Sequence, residues 1–255
     1  MLEAIILGII QGLTEYFPVS STAHLILFTW FFEIGGTVDT LSFDIALHIG
    51  TLFAVIVYFR KDWIKMFTSN RRLLLLLIID TIPAGIAGFF LSDIIESSFR
   101  SPALIAGALI LFSFVMWMAE RNKNSREMNT LTITDAFIIG FAQIFALIPG
   151  VSRSGITISA GLFRNIEREN SARFSFLMST PIIAGATFLH MFKILGSESD
   201  YNMKIIMAGV MSSGIAGFLA IKFLIGFFRK YSLNTFVYYR IALGFVIIIS
   251  LWLKG

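Results

Sequence analysis

The sequence predicts an all-α polytopic membrane protein built as an inverted repeat, each half a re-entrant helix hairpin followed by three transmembrane helices. Three observations predict it. Of the 255 residues 56% are hydrophobic and 14% charged, against roughly 25% charged in soluble domains, and several runs stay apolar for the roughly 20 residues that a spanning helix needs. Gly85-Ile86-Ala87-Gly88-Phe89 recurs 129 positions on as Gly214-Ile215-Ala216-Gly217-Phe218, and Pro18 recurs 131 positions on as Pro149. Two polar stretches, Gln11 to His24 and Gln143 to Gly155, interrupt apolar sequence with a proline and a hydroxyl cluster, which is expensive in a membrane unless the break lines a cavity.

In chain order, residues 1–10 are apolar but too short to span, and the motif around Pro18 separates them from a second apolar run, Leu25 to Phe32. A helix, a break and a returning helix are expected. Spans follow at about 42–60, 73–92 and 101–119, and the polar run Glu120 to Asn129 closes the half. The second half repeats the order with a broken pair around Pro149 and spans near 174–194, 204–228 and 235–253. Residues 1–255 are thus one integrated membrane domain, with repeats at about 1–120 and 131–255. The small residues of the recurring motif let helix backbones approach closely. Pro83 and Pro181 are expected to kink spans near the cavity.

Each half contributes three crossings, and an odd number turns the second half upside down. Arg60, Lys61, Lys65, Arg71, Arg72, Arg121, Lys123, Arg126, Arg164, Arg168, Arg173, Arg229 and Lys230 fall on one side, and Arg100, Lys193, Lys204 and Lys254 on the other. The crowded side reads as cytoplasmic and both termini as outside. The first hairpin then dips in from outside and the second from the cytoplasm. The N-terminus has Glu3 and no basic run, so a cleaved signal peptide is not expected. With no cysteine, disulfides, thiolate metal sites and cysteine nucleophiles are excluded. The formal charge of +4 reads as topology, and no nucleic-acid partner is expected.

Gln11 and Glu15, four apart, share a helix face. Pro18 ends that helix, and Ser20, Ser21 and Thr22 are types that cap the next; Pro149-Gly150 and Ser152-Arg153-Ser154 repeat the device. Two helix N-termini facing one space favour an anion. Arg153 inside apolar sequence needs a negative partner, and its planar fork suits phosphate. Glu15 would repel such a ligand, so it implies a bridging divalent cation or acid/base work. Ser21 and His24 supply a nucleophile and a proton carrier. Phosphoryl transfer fits these residues more closely than passive transport.

Gln11-x-x-x-Glu15 and Pro18-Val19-Ser20-Ser21-Thr22-Ala23-His24, with Pro149-Gly150-Val151-Ser152-Arg153-Ser154-Gly155, resemble the two signatures of the undecaprenyl-diphosphatase family, also called bacitracin-resistance proteins. The likeness covers the whole chain in length, order of spans and motif spacing. It implies a cell-membrane hydrolase that converts undecaprenyl diphosphate to undecaprenyl phosphate and inorganic phosphate, recycling the lipid carrier of peptidoglycan and other envelope polymers. It also implies that Glu15 organises a divalent cation, Mg2+ or Ca2+, and that Arg153 clamps phosphate. Ser21, Thr22 and Ser152 would contact or attack phosphorus, and His24 would be nucleophile or general acid/base; the choice between Ser21 and His24 stays open. Ser20, Ser154, Gln11 and His48 complete the expected substrate contacts. Gln11 stands where many members carry a glutamate, and Ala23 where glycine is frequent. Expected partners are the polyprenyl diphosphate, membrane lipid and a second copy in a homodimer, with the site opening outward.

Each residue also has a plainer reading. Glu15 and Arg153 would form a structural ion pair, His24 would be a capping or core histidine, and His190 would be structural. Asp80 is expected to be solvated or arginine-paired near the cytoplasmic end of its span, and Arg240 and Lys222 to snorkel. The alternative function is a transporter or flippase of a phosphorylated lipid or anion, since broken helices at the midplane also build transporters; a weaker one is an envelope scaffold.

Overall fold

The apolar runs form helices and the polar breaks end them. In the computed structural model, residues 1–33, 35, 41–122, 125–195 and 202–254 are described, without the side chains at 41, 92–93, 96–97 and 189–195. Among them are eleven α-helices: α1 (Leu2–Tyr16), α2 (Ser21–Phe32), α3 (Leu41–Tyr58), α4 (Arg60–Thr68), α5 (Arg71–Ser98), α6 (Pro102–Glu120), α7 (Ile133–Gln143), α8 (Arg153–Phe163), α9 (Arg168–Leu195), α10 (Met203–Phe228) and α11 (Asn234–Lys254). Thr132 and Asp135 start α7 with a capping box, each side chain meeting the other's backbone N–H. Asn70 and Ser101 cap α5 and α6, and Pro102 occupies the first turn of α6 where no N–H is needed.

The protein is a polytopic membrane protein. Four helical segments are long and apolar enough to cross a bilayer: Arg71–Leu91, Pro102–Glu120, Met203–Phe228 and Asn234–Lys254. α3 reaches that standard together with α4, from which it is bent by 67°. The short amphipathic helix α4, which no apolar run announces, keeps only Met66 buried. α9 runs through the fourth expected span, at 174–194, but among the described residues it is not in that apolar class. Its first half buries Ser171, Ser175 and Ser179.

Packing pairs correspond between the halves. α1 lies along α10 and α7 along α5. A Cβ on Gly8 would meet the Gly209 carbonyl at 2.5 Å, and one on Gly12 would meet the Ser213 carbonyl at 2.5 Å. α1 and α10 therefore run parallel with backbones touching, which only glycine permits at these two positions. Gly140 meets Asp80 in the same way, 132 and 129 residues away from Gly8 and Gly209 respectively. Arg72 donates to the carbonyls of Asn129 and Leu131, so α5 and α7 start at the same end. Of the recurring motif, Gly214 and Gly217 pack against Gly50 and Ala54, whereas Gly85 faces open space.

One end of the bundle is locked by ions. Asp135 is held by Arg126 and Arg164, Glu120 by Arg168, Asp62 by Arg173 and Glu169 by Arg229. These pairs tie the ends of α6, α8 and α10, the short helix α4 and the connection before α7 to the beginnings of α7 and α9. The second hairpin, α7 with α8, opens at this end. At the other end Lys254, in the last turn of α11, stacks over Trp30 at 4.6 Å, near the end of α2, so the first hairpin opens there.

Two expectations fail. Asp80 is neither solvated nor paired with arginine: it is fully buried at the crossing with α7, its Oδ1 accepts from Thr81 at 3.1 Å, and its Oδ2 has no partner. Arg240 does not snorkel. It is 0% exposed, because its guanidinium finds carbonyls inside the bundle. The side chain of His190 lies outside the described residues.

Candidate active site

The two hairpin tips meet in the interior. At each, the serine that precedes the returning helix adopts the same left-handed backbone: φ is 74° at Ser20 and 73° at Ser152, the N-caps of α2 and α8. Such geometry in a residue other than glycine costs on the order of 1–3 kcal/mol and gathers at functional sites. Ser152 caps conventionally, its Oγ accepting from Gly155 N at 3.2 Å. Ser20 does not cap its own helix; its Oγ accepts from Gly150 N at 3.1 Å across to the other tip. The first N–H groups of α2 are thereby left for a ligand. Ser154 adds a second strap, donating to the Phe17 carbonyl at 3.1 Å.

Arg240, from α11, secures both tips at once. Its Nη1 donates to the carbonyls of Pro18 (3.3 Å) and Val151 (3.0 Å), its Nη2 to those of Gly150 (2.8 Å) and Leu109 (3.4 Å), and its Nε to Ser113 (3.0 Å). Broken helices expose carbonyls that no water inside a membrane would satisfy. Five guanidinium N–H groups in a fixed fork are suited to them.

Glu15 is the centre of the polar network. Its Oε1 accepts from Arg153 Nη2 at 3.0 Å, and its Oε2 from Ser21 Oγ at 2.7 Å and Gln11 Nε2 at 3.0 Å. His48 Nε2 stands 3.5 Å from Oε2. His48 Nδ1 must donate to the Asp44 carbonyl, 2.8 Å away, since a carbonyl only accepts; this turns Nε2 toward Glu15. Arg153 is fixed further by donating to the Ser175 carbonyl at 2.9 Å. Tyr16 braces the same helix end, donating to the Thr51 carbonyl at 2.5 Å and meeting Phe176 edge-on.

A cavity of about 250 Å³ opens over this network. Of the residues expected from the sequence, Glu15, Ser20, Ser21, Thr22, His48, Ser152 and Arg153 line it. Three do not. Gln11, fully buried, braces Glu15 from behind, and Ser154 serves as the strap to Phe17. His24 points away: its Nδ1 donates to the Ser20 carbonyl at 2.7 Å, and its Nε2 is 2.7 Å from the Tyr239 hydroxyl, with the rings stacked at 9°. Both ring nitrogens have partners within the protein. The opposite wall is apolar, with Ile45, Ala84, Ile182, Ile183 and Ala186; Pro83 and Pro181 immediately precede wall residues.

Gln143 also lines the cavity, and it and Arg240 are the residues that sequence reasoning left without a role here. Gln143 heads the second motif and was visible as such. Nothing local marks Arg240, whose partners at the tips lie 222, 90 and 89 residues away.

The arrangement offers an anion a guanidinium, uncapped N–H groups and five serine or threonine side chains, Ser20, Ser21, Thr22, Ser152 and Thr187, one of them hydrogen-bonded to a carboxylate. Among the described residues no group of three or more His, Asp or Glu could hold a metal, and Glu15 is the one acidic side chain lining the cavity. Mg2+ is commonly held by one or two carboxylates, with substrate phosphates and water completing its shell. The donor set therefore fits a cation that is bound together with a diphosphate, and not a cage made of protein alone.

The model of the family described as bacitracin resistance protein BacA matches residues 4–246. Proteins named undecaprenyl-diphosphatase match along nearly their whole lengths. That of Thermodesulfovibrio yellowstonii is 52% identical over 100% of this chain and 99% of its own. Those of Desulforudis audaxviator and Elusimicrobium minutum are each 44% identical over 99% of this chain and 98% of their own.

Proposed function

We infer from the site, in a chain that belongs to the bacitracin resistance protein BacA family, how an undecaprenyl-diphosphatase works. The chain is a membrane phosphatase that dephosphorylates undecaprenyl diphosphate, with the roles in bacitracin resistance and cell-wall synthesis that this activity carries. The observation that carries the mechanism is the Ser21–Glu15–Arg153 chain, which joins the two hairpins at 2.7 and 3.0 Å on the floor of a half-apolar cavity.

The lipid diphosphate would lie with its phosphates on the tips and its first prenyl units along Ile45, Ile182 and Ile183. Arg153 and the N–H groups of α2 would bind the terminal phosphate and stabilise charge that develops on its oxygens. Glu15 would accept the proton of the Ser21 hydroxyl as that oxygen attacks the terminal phosphorus. The bond from this phosphorus to the bridging oxygen then breaks, and undecaprenyl phosphate leaves. Water releases the phosphate from Ser21 in a second step. A divalent cation, Mg2+ or Ca2+, would be held by Glu15 and the substrate phosphates; when bound it neutralises phosphate charge and polarises the phosphorus centre. His48, against Glu15, would keep the carboxylate in place and share its proton.

The ion-locked end is the cytoplasmic one in this account, by the positive-inside rule, so both termini and the mouth of the first hairpin face outward. The halves form an inverted repeat; the support is that α1 with α10 and α7 with α5 are corresponding pairs and that the hairpins open at opposite ends. The whole chain is one domain, supported by the straps between tips.

Purified protein in detergent, given undecaprenyl diphosphate and a divalent cation, should release inorganic phosphate, and Glu15→Gln and Arg153→Ala should abolish the release. No release under any metal condition, with counterflow of labelled anion or lipid in liposomes, would replace hydrolysis by transport.

A further inference from the structure

Gln143 ends α7 with a side chain only 2% exposed, and neither its Nε2 nor its Oε1 has a hydrogen-bond partner. A buried primary amide offers two donors and two acceptor sites. Leaving them unmet is costly, all the more where no bulk water reaches. The repeat explains how this side chain lost its partner. Gln11 occupies the corresponding place 132 positions earlier and donates to Glu15, one turn further along its helix. The residue one turn beyond Gln143 is Leu147. Divergence has thus removed the carboxylate and kept the amide, and the amide lines the same cavity as Glu15, Ser21 and Arg153.

We propose that Gln143 is a further substrate-binding residue, its Nε2 donating to a phosphoryl oxygen of the diphosphate and its Oε1 accepting from a water that accompanies the phosphates. This rests on the phosphatase reading above. The amide stays neutral, so it adds a directional contact to phosphate without adding charge beside Arg153. Its free state is a stability deficit that the bound diphosphate removes.

The test measures kcat/KM for undecaprenyl diphosphate and the thermal unfolding midpoint in detergent, on wild type, Gln143→Met and Gln143→Glu. Methionine matches the length and removes the polar atoms; a lost hydrogen bond to a charged group predicts a fall in kcat/KM of about ten-fold or more. The unfolding midpoint of Gln143→Met should equal or exceed that of wild type, because an unmet amide has been replaced by an apolar group. Gln143→Glu, which sets a second negative charge against the phosphates, should lose more activity than Gln143→Met. Activity of Gln143→Met within two-fold of wild type, or a loss matched by a lower midpoint or by failure to fold, would overturn the proposal. A wild-type protein that releases no phosphate would instead overturn the reading on which it rests.

Discussion

Replacing Arg240 with methionine should uncouple the two hairpin tips while leaving every cavity-lining side chain in the sequence. The guanidinium donates to three tip carbonyls, those of Pro18, Gly150 and Val151, and to Leu109 and Ser113. Each orphaned buried acceptor costs about 1–3 kcal/mol. Against this stands the desolvation of the guanidinium, which the variant no longer bears. The balance is a loss of about 3 kcal/mol, concentrated at the tips, because α11 itself is secured elsewhere by apolar packing. Ser21 belongs to one tip and Arg153 to the other, so a relative shift of about 1 Å should cost about 10²-fold in turnover. Arg240→Lys retains the charge, but a single nitrogen cannot reach carbonyls on both tips, so it should recover stability more than activity. The assay is phosphate release from undecaprenyl diphosphate beside thermal unfolding in detergent. If Arg240→Met keeps kcat/KM within two-fold and unfolds at the wild-type temperature, the tips are held by something other than this arginine.

Gly140→Ala drives a Cβ into the Asp80 backbone and should lower stability by about 1–3 kcal/mol or more. Gly85→Ala, at a position facing open space in the same helix pair, should be neutral or stabilising by up to about 1 kcal/mol; unfolding midpoints of the two variants check this contrast. Chelation should abolish phosphate release and Mg2+ or Ca2+ should restore it, without a change of unfolding midpoint, since among the described residues no protein cluster holds a metal. Burial alone would raise the pKa of Asp135, but hydrogen bonds from Arg126 and Arg164 outweigh it and hold the carboxyl well below the usual carboxylate range. Its stabilisation is therefore present above the unfolded pKa, about 3.9, and fades as pH falls below it. The midpoint difference between wild type and Asp135→Asn should be full at pH 7 and shrink below about pH 4.

The local chemistry of the chain was legible because its causes are local. A proline flanked by hydroxyls in apolar sequence breaks a helix wherever the rest of the protein goes, and Glu15 and Arg153 had to find opposite charge inside a membrane. Spacing did not show which way a side chain turns once its helix is docked. His24 and Ser21 are three residues apart, yet one faces Tyr239 and the other Glu15. His48, from a different helix, fills the place beside the carboxylate. Arg240 was misread for a related reason: near the end of an apolar run an arginine usually reaches water, and only the arrival of two distant helix breaks gives it partners inside. Asp80 was misread in the same way: an acid near the end of a span usually reaches water or an arginine, and only the close approach of α7 at Gly140 seals it off. α4 escaped because its amphipathic turn is too short to stand out from a charged loop.

The central claim is that one active site is assembled from both hairpins through Glu15 and Arg153. A double-mutant cycle on kcat/KM tests it, with Glu15→Gln, Arg153→Met and the pair together, each confirmed folded by its unfolding midpoint. The account predicts that each single variant loses most of the activity and that the double variant is little worse than either, as for residues that act as a unit. Single losses that multiply, or a single variant with near wild-type turnover, would contradict it.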